Sequence, residues 1–322
     1  MSCLVSYRIK PFLLLAFLCL LVTNCASPAI EKNVTSIQQP DTTSECRMIQ
    51  HQFGETCVPL KPQRIVALDS NASLDSLVAL GIKPVGFASF GYADGEEVVH
   101  GVPLDKLAGA KSVGYIEQPS LEKVLLLKPD LIFATDYHPY QLLSAIAPTI
   151  PIPYPNFDAS ADKAFFEENL HYIAKVVDKE TEAEEILDQY HKRIEDLKKR
   201  LGNQLERIEV SVIYYTLGLI YTPTKNYDAA TDVLIDTGIH LKRPTGHISI
   251  ETIEEYNTDI LFVINVERKP LSFYSQHPVF SHLKAVKNNR VYLVPPERWD
   301  TRGILGANQI LDDLFKYLLD DG

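Results

Sequence analysis

The sequence predicts an α/β fold made of two lobes that one long helix joins. From residue 63 onward, short runs rich in β-branched residues alternate with segments of helical periodicity, which is the pattern of parallel α/β sheets. Near the middle of the chain, residues 181–201 carry the most regular apolar stripe, and the alternation resumes after them. The chain has 322 residues, which exceeds one ordinary hydrophobic core. We therefore expect an N-terminal lobe, a helical connector and a C-terminal lobe.

The N-terminal lobe is predicted over residues 63–178. Residues 64–68 form an apolar, β-branched run that indicates a buried strand. The further predicted elements of this lobe are a helix over 73–80, a strand over 84–87, a helix over 120–127 and a strand over 130–134. The loops 69–71 and 135–138 follow strands, so they lie at the carboxyl ends, where open α/β sheets bind their ligands.

Residues 181–201 are predicted to form the connector as one amphipathic helix. Its apolar residues recur at intervals of four and three, namely at Ala183, Leu187, Tyr190, Ile194, Leu197 and Leu201. Thr181 and Glu184 have the spacing of a capping box, and Gly202 is a natural stop. The stripe lasts only about three heptads, which favours packing along the body of the protein over a free coiled coil.

The C-terminal lobe is predicted over residues 203–322. Strands are expected at 210–214, 260–264 and 290–294, because each is a short run of β-branched and aromatic residues. Residues 304–319 have helical periodicity and are predicted to close the fold.

The N-terminus has the pattern of a lipoprotein export signal over residues 1–24. Arg8 and Lys10 precede an apolar run that is too short to cross a bilayer and that stops at Cys25. Asn24 stands where such signals usually carry a small residue. We predict cleavage before Cys25 and attachment of a lipid to it. Residues 25–62 then form a tether, polar up to residue 45, followed by a hairpin.

The chain has five cysteines, and cleavage and lipidation would leave only Cys46 and Cys57 as thiols. An exported compartment is oxidising, so this pair is predicted to form a disulfide. Closing that small loop contributes about 3 kcal/mol on the chain-entropy model. A redox or metal role is the weaker interpretation, because no CxxC spacing is present.

The composition excludes several classes of function. The formal charge is −11, and removing Arg8 and Lys10 makes it more negative, so no nucleic acid partner is expected. The sequence has no GxSxG elbow and no glycine-rich phosphate loop, which disfavours the alternative of an exported hydrolase. The nine histidines are scattered, so we expect neither a metal site nor a resident cofactor; His138, in a strand-end loop, is the histidine best placed to touch a ligand.

Segments in order along the chain resemble one known family. They are residues 56–68, residues 118–134, residues 146–150, and residues 283–294 followed by a loop with the only tryptophan and by 307–314. Together they resemble the iron-siderophore substrate-binding proteins of bacterial ABC importers, over nearly the whole chain that follows the signal.

The resemblance implies two Rossmann-like lobes joined by a rigid helix, the helical-backbone metal receptor architecture of class III substrate-binding proteins. It implies a monomeric, lipid-anchored periplasmic carrier of a ferric siderophore, with citrate or hydroxamate types favoured and a haem or cobalamin carrier as the alternative. It implies delivery to an ABC permease of the inner membrane and no catalysis. The family's docking glutamates correspond to Glu122 and Glu251. Both lie near predicted helix starts, where the helix dipole also explains a carboxylate.

A cleft for a polar, often anionic chelate needs guanidinium groups and aromatic walls. The candidate ligand-binding residues on this ground are Trp299, Arg302, Arg268, Arg243, Tyr137 and Tyr215. Trp299 has polar neighbours and flanking prolines, which favour a surface loop over the core. For Arg302, a salt bridge to Asp300 or Glu297 is the competing interpretation. The other four positions could equally be surface charges or packed tyrosines.

Overall fold

The computed structural model describes residues 45–93, 96–153, 163–217, 219–242 and 248–319. The predicted export signal, Cys25 and Arg243 lie outside these ranges. Across the described ranges, every helix is too short or too polar to span a membrane. The described residues form one compact unit.

The described chain starts with an antiparallel hairpin of β1 (Cys46–His51) and β2 (Gly54–Pro59). A disulfide links Cys46 to Cys57 across the two strands. The guanidinium of Arg47 donates to the carbonyl oxygen of Lys175 at 2.8 Å and pairs with Asp178 at 2.5 Å. The hairpin is therefore fastened to the end of a helix of the N-terminal lobe.

The N-terminal lobe is built on a six-stranded sheet with the order β10-β9-β3-β4-β7-β8. All neighbours in this sheet run parallel except β7 and β8. The strands of this lobe are β3 (Ile65–Ala67), β4 (Gly86–Ser89), β5 (Gly91–Ala93), β6 (Glu96–Val98), β7 (Lys111–Tyr115), β8 (Gln118–Pro119), β9 (Leu131–Ala134) and β10 (Thr149–Pro151), of which β5 and β6 form a separate hairpin. The central strands are buried on both faces, as a sheet covered by helices requires.

Its helices are α1 (Asp75–Ala79), α2 (Leu121–Leu126), α3 (Tyr140–Ser144) and α4 (Phe165–Val177). A π-helical turn, Ser70–Leu74, leads into α1. The hydroxyl of Ser120 accepts a hydrogen bond from the Lys123 backbone N–H and so caps α2.

The connector is helix α5 (Glu180–Leu201), which begins one residue before the predicted start. Its buried residues are the six of the predicted stripe, Ala183, Leu187, Tyr190, Ile194, Leu197 and Leu201. The predicted capping box is wrong, because Thr181 lies inside the first turn and Lys179 occupies the cap position without a side-chain cap hydrogen bond. Gly202 ends the helix with a φ of 51°.

The C-terminal lobe is built on a second six-stranded sheet, in which β14-β12-β11-β15-β16 are consecutive and β13 pairs with β11. Its strands are β11 (Glu209–Thr216), β12 (Leu219–Tyr221), β13 (His240–Leu241), β14 (Ile248–Ser249), β15 (Ile260–Ile264) and β16 (Val291–Val294). Its helices are α6 (Ala229–Asp236), α7 (Leu271–Gln276), α8 (Lys284–Lys287), α9 (Pro296–Trp299) and α10 (Ile304–Leu319). Strand β15 and helix α10 have the predicted bounds.

The largest hydrophobic cluster is shared by both lobes. It contains Leu77 and Phe133 of the N-terminal lobe, Leu197 of α5 and Phe262 and Leu311 of the C-terminal lobe. Helix α10 packs against α1 and α4, against α5, and against α6 and α9. The lobes are therefore joined by a continuous core as well as by the connector.

We expect truncation of the connector stripe to destabilise the whole fold. Leu197 is fully buried in the shared cluster, so Leu197→Ala should lower the free energy of unfolding by about 2–5 kcal/mol in urea titrations. Leu142→Ala, at a position that is 56% exposed, is the matched control and should change it by less than about 0.5 kcal/mol. Equal effects of the two substitutions would contradict this account of the core.

Candidate functional site

Loops that follow parallel strands of both sheets carry the polar residues of the candidate site. Asp69 follows β3 and Thr135 follows β9 in the N-terminal lobe, while Asn265 follows β15 and Pro295 follows β16 in the C-terminal lobe. These are carboxyl ends of parallel strands, the edge at which open α/β sheets hold ligands.

A cavity of about 360 Å³ lies between the two lobes. The N-terminal lobe contributes a mostly aliphatic wall from the segment 97–104, including Val98, Val99, Val102, Pro103 and Leu104. The C-terminal lobe contributes the polar side chains of Arg268, Glu297, Arg298 and Gln309. A concave site with an apolar wall and a few convergent polar groups has the character of a small-molecule site.

Arg268 is the predicted ligand residue that the structure places at this cavity. It also lines an adjoining cavity of about 230 Å³, next to Asn265 and Pro295. Its backbone is in the left-handed region, with a φ of 53°, and its guanidinium donates to Glu297 Oε1 at 2.6 Å. The side chain is half exposed, so this ion pair is of the exposed kind, which contributes about 0–1 kcal/mol.

Trp299 is a core residue, which corrects its prediction as part of a surface loop. The residue is fully buried, its ring stacks on Phe262 with centroids 4.8 Å apart, and its Nε1–H donates to Asp313 Oδ2 at 2.9 Å. Of its polar neighbours, Glu297 and Arg298 lie on the same short helix α9 and line the cavity, and Asp300 follows the helix. Trp299 turns the opposite way, into the shared core, because its large apolar ring gains most from burial there.

Tyr215 is also packed in the core, contrary to its prediction as a cleft residue. It lies in an aromatic cluster with Phe273, Tyr274 and Phe280, at centroid distances of 5.4–5.8 Å. The preceding residue, Tyr214, points to the other face of β11, since side chains alternate along a strand. Of the two interpretations open for Tyr215, cleft residue or packed tyrosine, the structure therefore shows the packed tyrosine.

The hydroxyl of Tyr214 joins a group of polar side chains from both lobes. It donates to the carboxylates of Asp228 and Asp300, at 3.3 Å each. His100 of the N-terminal lobe stacks on Phe90 at 4.0 Å, and its Nδ1 lies 3.4 Å from Asp300 Oδ2. We call the set Asp69, His100, Tyr214, Asp228, Asp300 and Arg302 the interlobe cluster.

Arg302 is the cation of the interlobe cluster. Its guanidinium lies 3.8 Å from the ring centroid of Tyr227. Burial lowers the pKa of Arg302, but the fields of Tyr227 and of the nearby carboxylates outweigh burial and raise it; these carboxylates are Asp69, Asp228 and Asp300. Asp300, one of the two partners in the salt-bridge interpretation, is thus among the carboxylates whose field acts on Arg302.

The surroundings shift the pKa values of one acid, Asp228, and of the histidine of this cluster. Burial raises the pKa of Asp228 to about 6, against the opposing effect of the Thr224 N–H that it accepts. Burial lowers the pKa of His100, and Asp300 only partly offsets this. Both shifts favour the neutral form, which limits the charge that the interlobe cluster buries.

His138 and Tyr137 occupy the loop after β9. The Nδ1 of His138 accepts from the Thr135 backbone N–H at 3.0 Å, so its Nε2–H donates to the Ile116 carbonyl oxygen at 2.6 Å. His138 is therefore a structural support of this loop. Tyr137 is half exposed, and the centroid of its ring lies 4.6 Å from that of His138.

The two predicted docking glutamates lie on different lobes. Glu122 is exposed in the first turn of α2, and Leu125 and Leu126 are 57% and 71% exposed on the same short helix. The backbone of Glu251 lies in the 3₁₀-helix Ile250–Tyr256. Among the residues that the structure describes, no three His, Cys, Asp or Glu side chains are grouped as metal ligands.

Sequence reasoning missed several members of the site. The histidine and three acids that gather around Tyr214 and Arg302 come from four separate loops, and no local motif connects them. Strand alternation was the one available signal, because it places Tyr214 and Tyr215 on opposite faces.

Comparison with known proteins gives consistent matches along the chain. The sequence model of the family described as periplasmic binding protein matches residues 65–298. The Fe(3+)-citrate-binding protein YfmC of Bacillus subtilis is 31% identical, over 96% of this chain and 95% of its own length. The probable siderophore-binding lipoprotein YfiY of the same organism is 29% identical, over 90% and 93%.

The solved structures give the same result. SirA of Staphylococcus aureus, complexed with staphyloferrin B, has a TM-score of 0.66 and 26% identity, and the match covers 84% of this chain and 98% of SirA. The expected fold of two α/β lobes with a connecting helix is confirmed.

Buried acids predict the pH dependence of stability. Burial raises the pKa of Asp232 to about 7 from an ordinary value of 3.8, so the folded protein keeps a proton that the unfolded chain releases from about pH 4 upward. The free energy of unfolding should therefore fall between about pH 4 and pH 7. Asp232→Asn keeps the acceptor for the Asn226 N–H and should raise stability at pH 8 by roughly 2–4 kcal/mol in urea titrations.

Asp105→Asn, at an exposed position, is the control and should leave the pH profile of stability unchanged. A profile for Asp232→Asn that runs parallel to the wild-type profile would show that this carboxyl group is ionised in the folded protein.

Proposed function

We propose that this chain, which belongs to the periplasmic binding protein family, binds a ferric siderophore outside the cytoplasm and delivers it to the permease of an ABC importer. It acts as a carrier, without catalysis or a resident cofactor. The observation that carries the proposal is the cavity of about 360 Å³ between the lobes. One wall is mostly aliphatic and includes Glu97, and the other carries Arg268, Arg298, Glu297 and Gln309. The names of YfmC and YfiY and the siderophore bound to SirA support the ligand class.

The two walls favour chelates of the citrate and hydroxamate type. Such ligands carry carboxylate or hydroxamate oxygens, which a guanidinium fork can bind in a bidentate manner. The aliphatic linkers of a citrate-based hydroxamate would pack against Val98, Val102 and Leu104, at about 0.8 kcal/mol per buried methylene. The Arg268 side chain is half exposed and that of Glu297 is 28% exposed, so their ion pair contributes little and a ligand carboxylate can replace Glu297 at little cost.

The proposed location and domain organisation follow from the N-terminal pattern. Lipidation of Cys25 would anchor a monomeric carrier to the outer face of the cell membrane, and the lipoprotein name of YfiY supports this. The proposed segments are the signal (1–24), tether and hairpin (25–62), N-terminal lobe (63–178), connector (181–201) and C-terminal lobe (203–322).

We assign permease docking to Glu122 and Glu251, one on each lobe. Glu122 shares its exposed helix face with Leu125 and Leu126, since residues three and four positions apart are neighbours on a helix. A carboxylate between two exposed leucines suits a partner surface with an arginine set among apolar side chains.

The first test is calorimetric titration of the purified chain with ferric citrate, ferric schizokinen, ferric enterobactin, haem and cobalamin. We expect saturable binding of a citrate or hydroxamate chelate. Arg268→Gln should weaken that binding by at least tenfold, because it removes a charged fork from the cavity wall.

Arg207→Gln, at an exposed arginine that does not line the cavity, is the control and should bind as the wild type does. If only haem or cobalamin bound, the protein would be a carrier of that ligand and not of a ferric siderophore. Binding of none of the five would contradict the proposal.

The docking assignment predicts a loss of transport without a loss of binding. Glu122→Ala should leave the chelate affinity within about twofold, since the residue is exposed and lies outside the cavity. Uptake of iron-55 from the chelate, by cells that depend on this chain, should fall at least fivefold because the contact with the permease is weakened.

Glu185→Ala, which removes an exposed carboxylate from α5, is the matched control for the uptake assay. Equal uptake by cells carrying either variant would exclude Glu122 from the docking surface.

A further inference from the structure

We infer that Gly101 and Asp75 of the N-terminal lobe form an interlobe lock that fixes the width of the cavity before the ligand arrives. Two observations support the lock. Four hydrogen bonds cross the interface, two at each of these residues, and three glycines at the interface have no room for a side chain. The inference rests on the proposed function where it is tested by ligand affinity. Its test by hydrogen–deuterium exchange needs no ligand.

Gly101 joins the two walls of the cavity. Its N–H donates to the carbonyl oxygen of Glu297 at 2.8 Å, and its carbonyl oxygen accepts from Gln309 Nε2 at 2.6 Å. Glu297 and Gln309 line the cavity from the C-terminal lobe, and Val99 and Val102, on either side of Gly101, line it from the N-terminal lobe. Any displacement of Gly101 relative to these partners therefore changes the separation of the walls.

Asp75 makes the second contact between the lobes. Its carboxyl group is fully buried and accepts from the backbone N–H groups of Leu305 and Gly306, at 2.9 and 3.0 Å. Burial raises the pKa of Asp75 to about 7, against the lowering effect of these hydrogen bonds, so the group is partly protonated at neutral pH. Both N–H groups are free donors of the first turn of α10, and they bind the carboxyl oxygens in either protonation state. An acid at the start of α1 thus caps a helix that belongs to the other lobe.

Glycines allow the two lobes to approach this closely. A Cβ at Gly101 would lie 2.5 Å from Thr301 Oγ1 and 2.8 Å from Asp75 Oδ2. A Cβ at Gly303 would collide with the Asp75 carboxylate, and one at Gly306 with the Thr301 side chain. Asp75 and Thr301 are both fully buried, so neither can move aside into solvent.

The lock also acts on the segment 297–302, which follows β16. Thr301 lies between Asp300 and Arg302 of the interlobe cluster, and its carbonyl oxygen accepts from the Ala229 N–H at 2.9 Å. Gly101 and Asp75 therefore hold the segment that carries Glu297 and Arg298 against the N-terminal lobe. Neither lock residue needs to touch the ligand, so both are positioning residues.

The test uses Gly101→Ala and Asp75→Asn in the full chain. Gly101→Ala is matched by Gly81→Ala, because the two glycines have φ values of 76° and 75° and a Cβ at Gly81 meets nothing within 4 Å. The two substitutions share the backbone strain and differ in the steric clash. Asp75→Asn is matched by Asp130→Asn, since Asp130 accepts from the backbone N–H groups of Gln63 and Arg64 within one lobe, at 2.7 and 2.9 Å.

Hydrogen–deuterium exchange of the unliganded protein, read in peptides that cover 99–104 and 303–308, reports on the lock. Both lock variants should exchange at least tenfold faster in both peptides, and both controls should match the wild type there. The affinity for ferric citrate or ferric schizokinen, whichever the wild type binds, should fall at least tenfold in the lock variants and less than threefold in the controls.

The lock would be overturned if each lock variant exchanged in these peptides at the same rate as its control. The pairs to compare are Gly101→Ala with Gly81→Ala and Asp75→Asn with Asp130→Asn. If Gly101→Ala does not fold, the comparison of Asp75→Asn with Asp130→Asn tests the lock by the same exchange measurement. If the wild type binds no ferric chelate, the proposed function fails, and the exchange comparison still decides the lock.

Discussion

The packing of α10 between the two lobes is the constraint on which the rest of the structure depends. This helix contacts α1 and α4 of the N-terminal lobe, α5 of the connector, and α6 and α9 of its own lobe. It contributes Ile310, Leu311 and Leu314 to a core that both lobes share. Backbone N–H groups of its first turn donate to Asp75, and the Gln309 side chain donates to the carbonyl oxygen of Gly101.

Two lobes joined through one helix in this way cannot hinge freely, so the cavity between them has a shape set by folding. A preformed site loses less conformational entropy when the ligand binds, which favours tight capture at low ligand concentration.

Close packing of the lobes also buries charge, and the structure contains the compensating groups. Arg302 offsets three carboxylates, Tyr214 donates to two of them, and burial keeps His100 neutral through a lowered pKa. Burial raises the pKa values of Asp232 and Asp75 to about 7, so these two acids are partly protonated near neutral pH. Arg302 is thereby surrounded by internal charges. Arg268, whose side chain is half exposed, instead pairs with Glu297 and lines the cavity between the lobes.

Local patterns predicted the scaffold well and the site poorly, for physical reasons. Periodicity located β15, α10 and the buried stripe of α5, because a strand or helix must bury one face regardless of its neighbours. Trp299 and Tyr215 were assigned to the cleft from polar neighbours and from position after a strand, yet both side chains are buried in the core. Which face a side chain takes depends on the register of the strand and on the partner surface, and both are set by tertiary packing. Asp75 and Gly101 carry no local signal at all, because their partners lie about 200 residues away in the sequence.

The location of the iron tests the central claim most directly. Crystals of the protein grown with ferric schizokinen, a citrate-based dihydroxamate, would give an anomalous signal at the iron absorption edge. The account predicts one strong peak in the cavity between segment 97–104 and Arg268, with the two lobes arranged as they are here. A peak at any other site, or lobes that have rotated apart to admit the chelate, would contradict it.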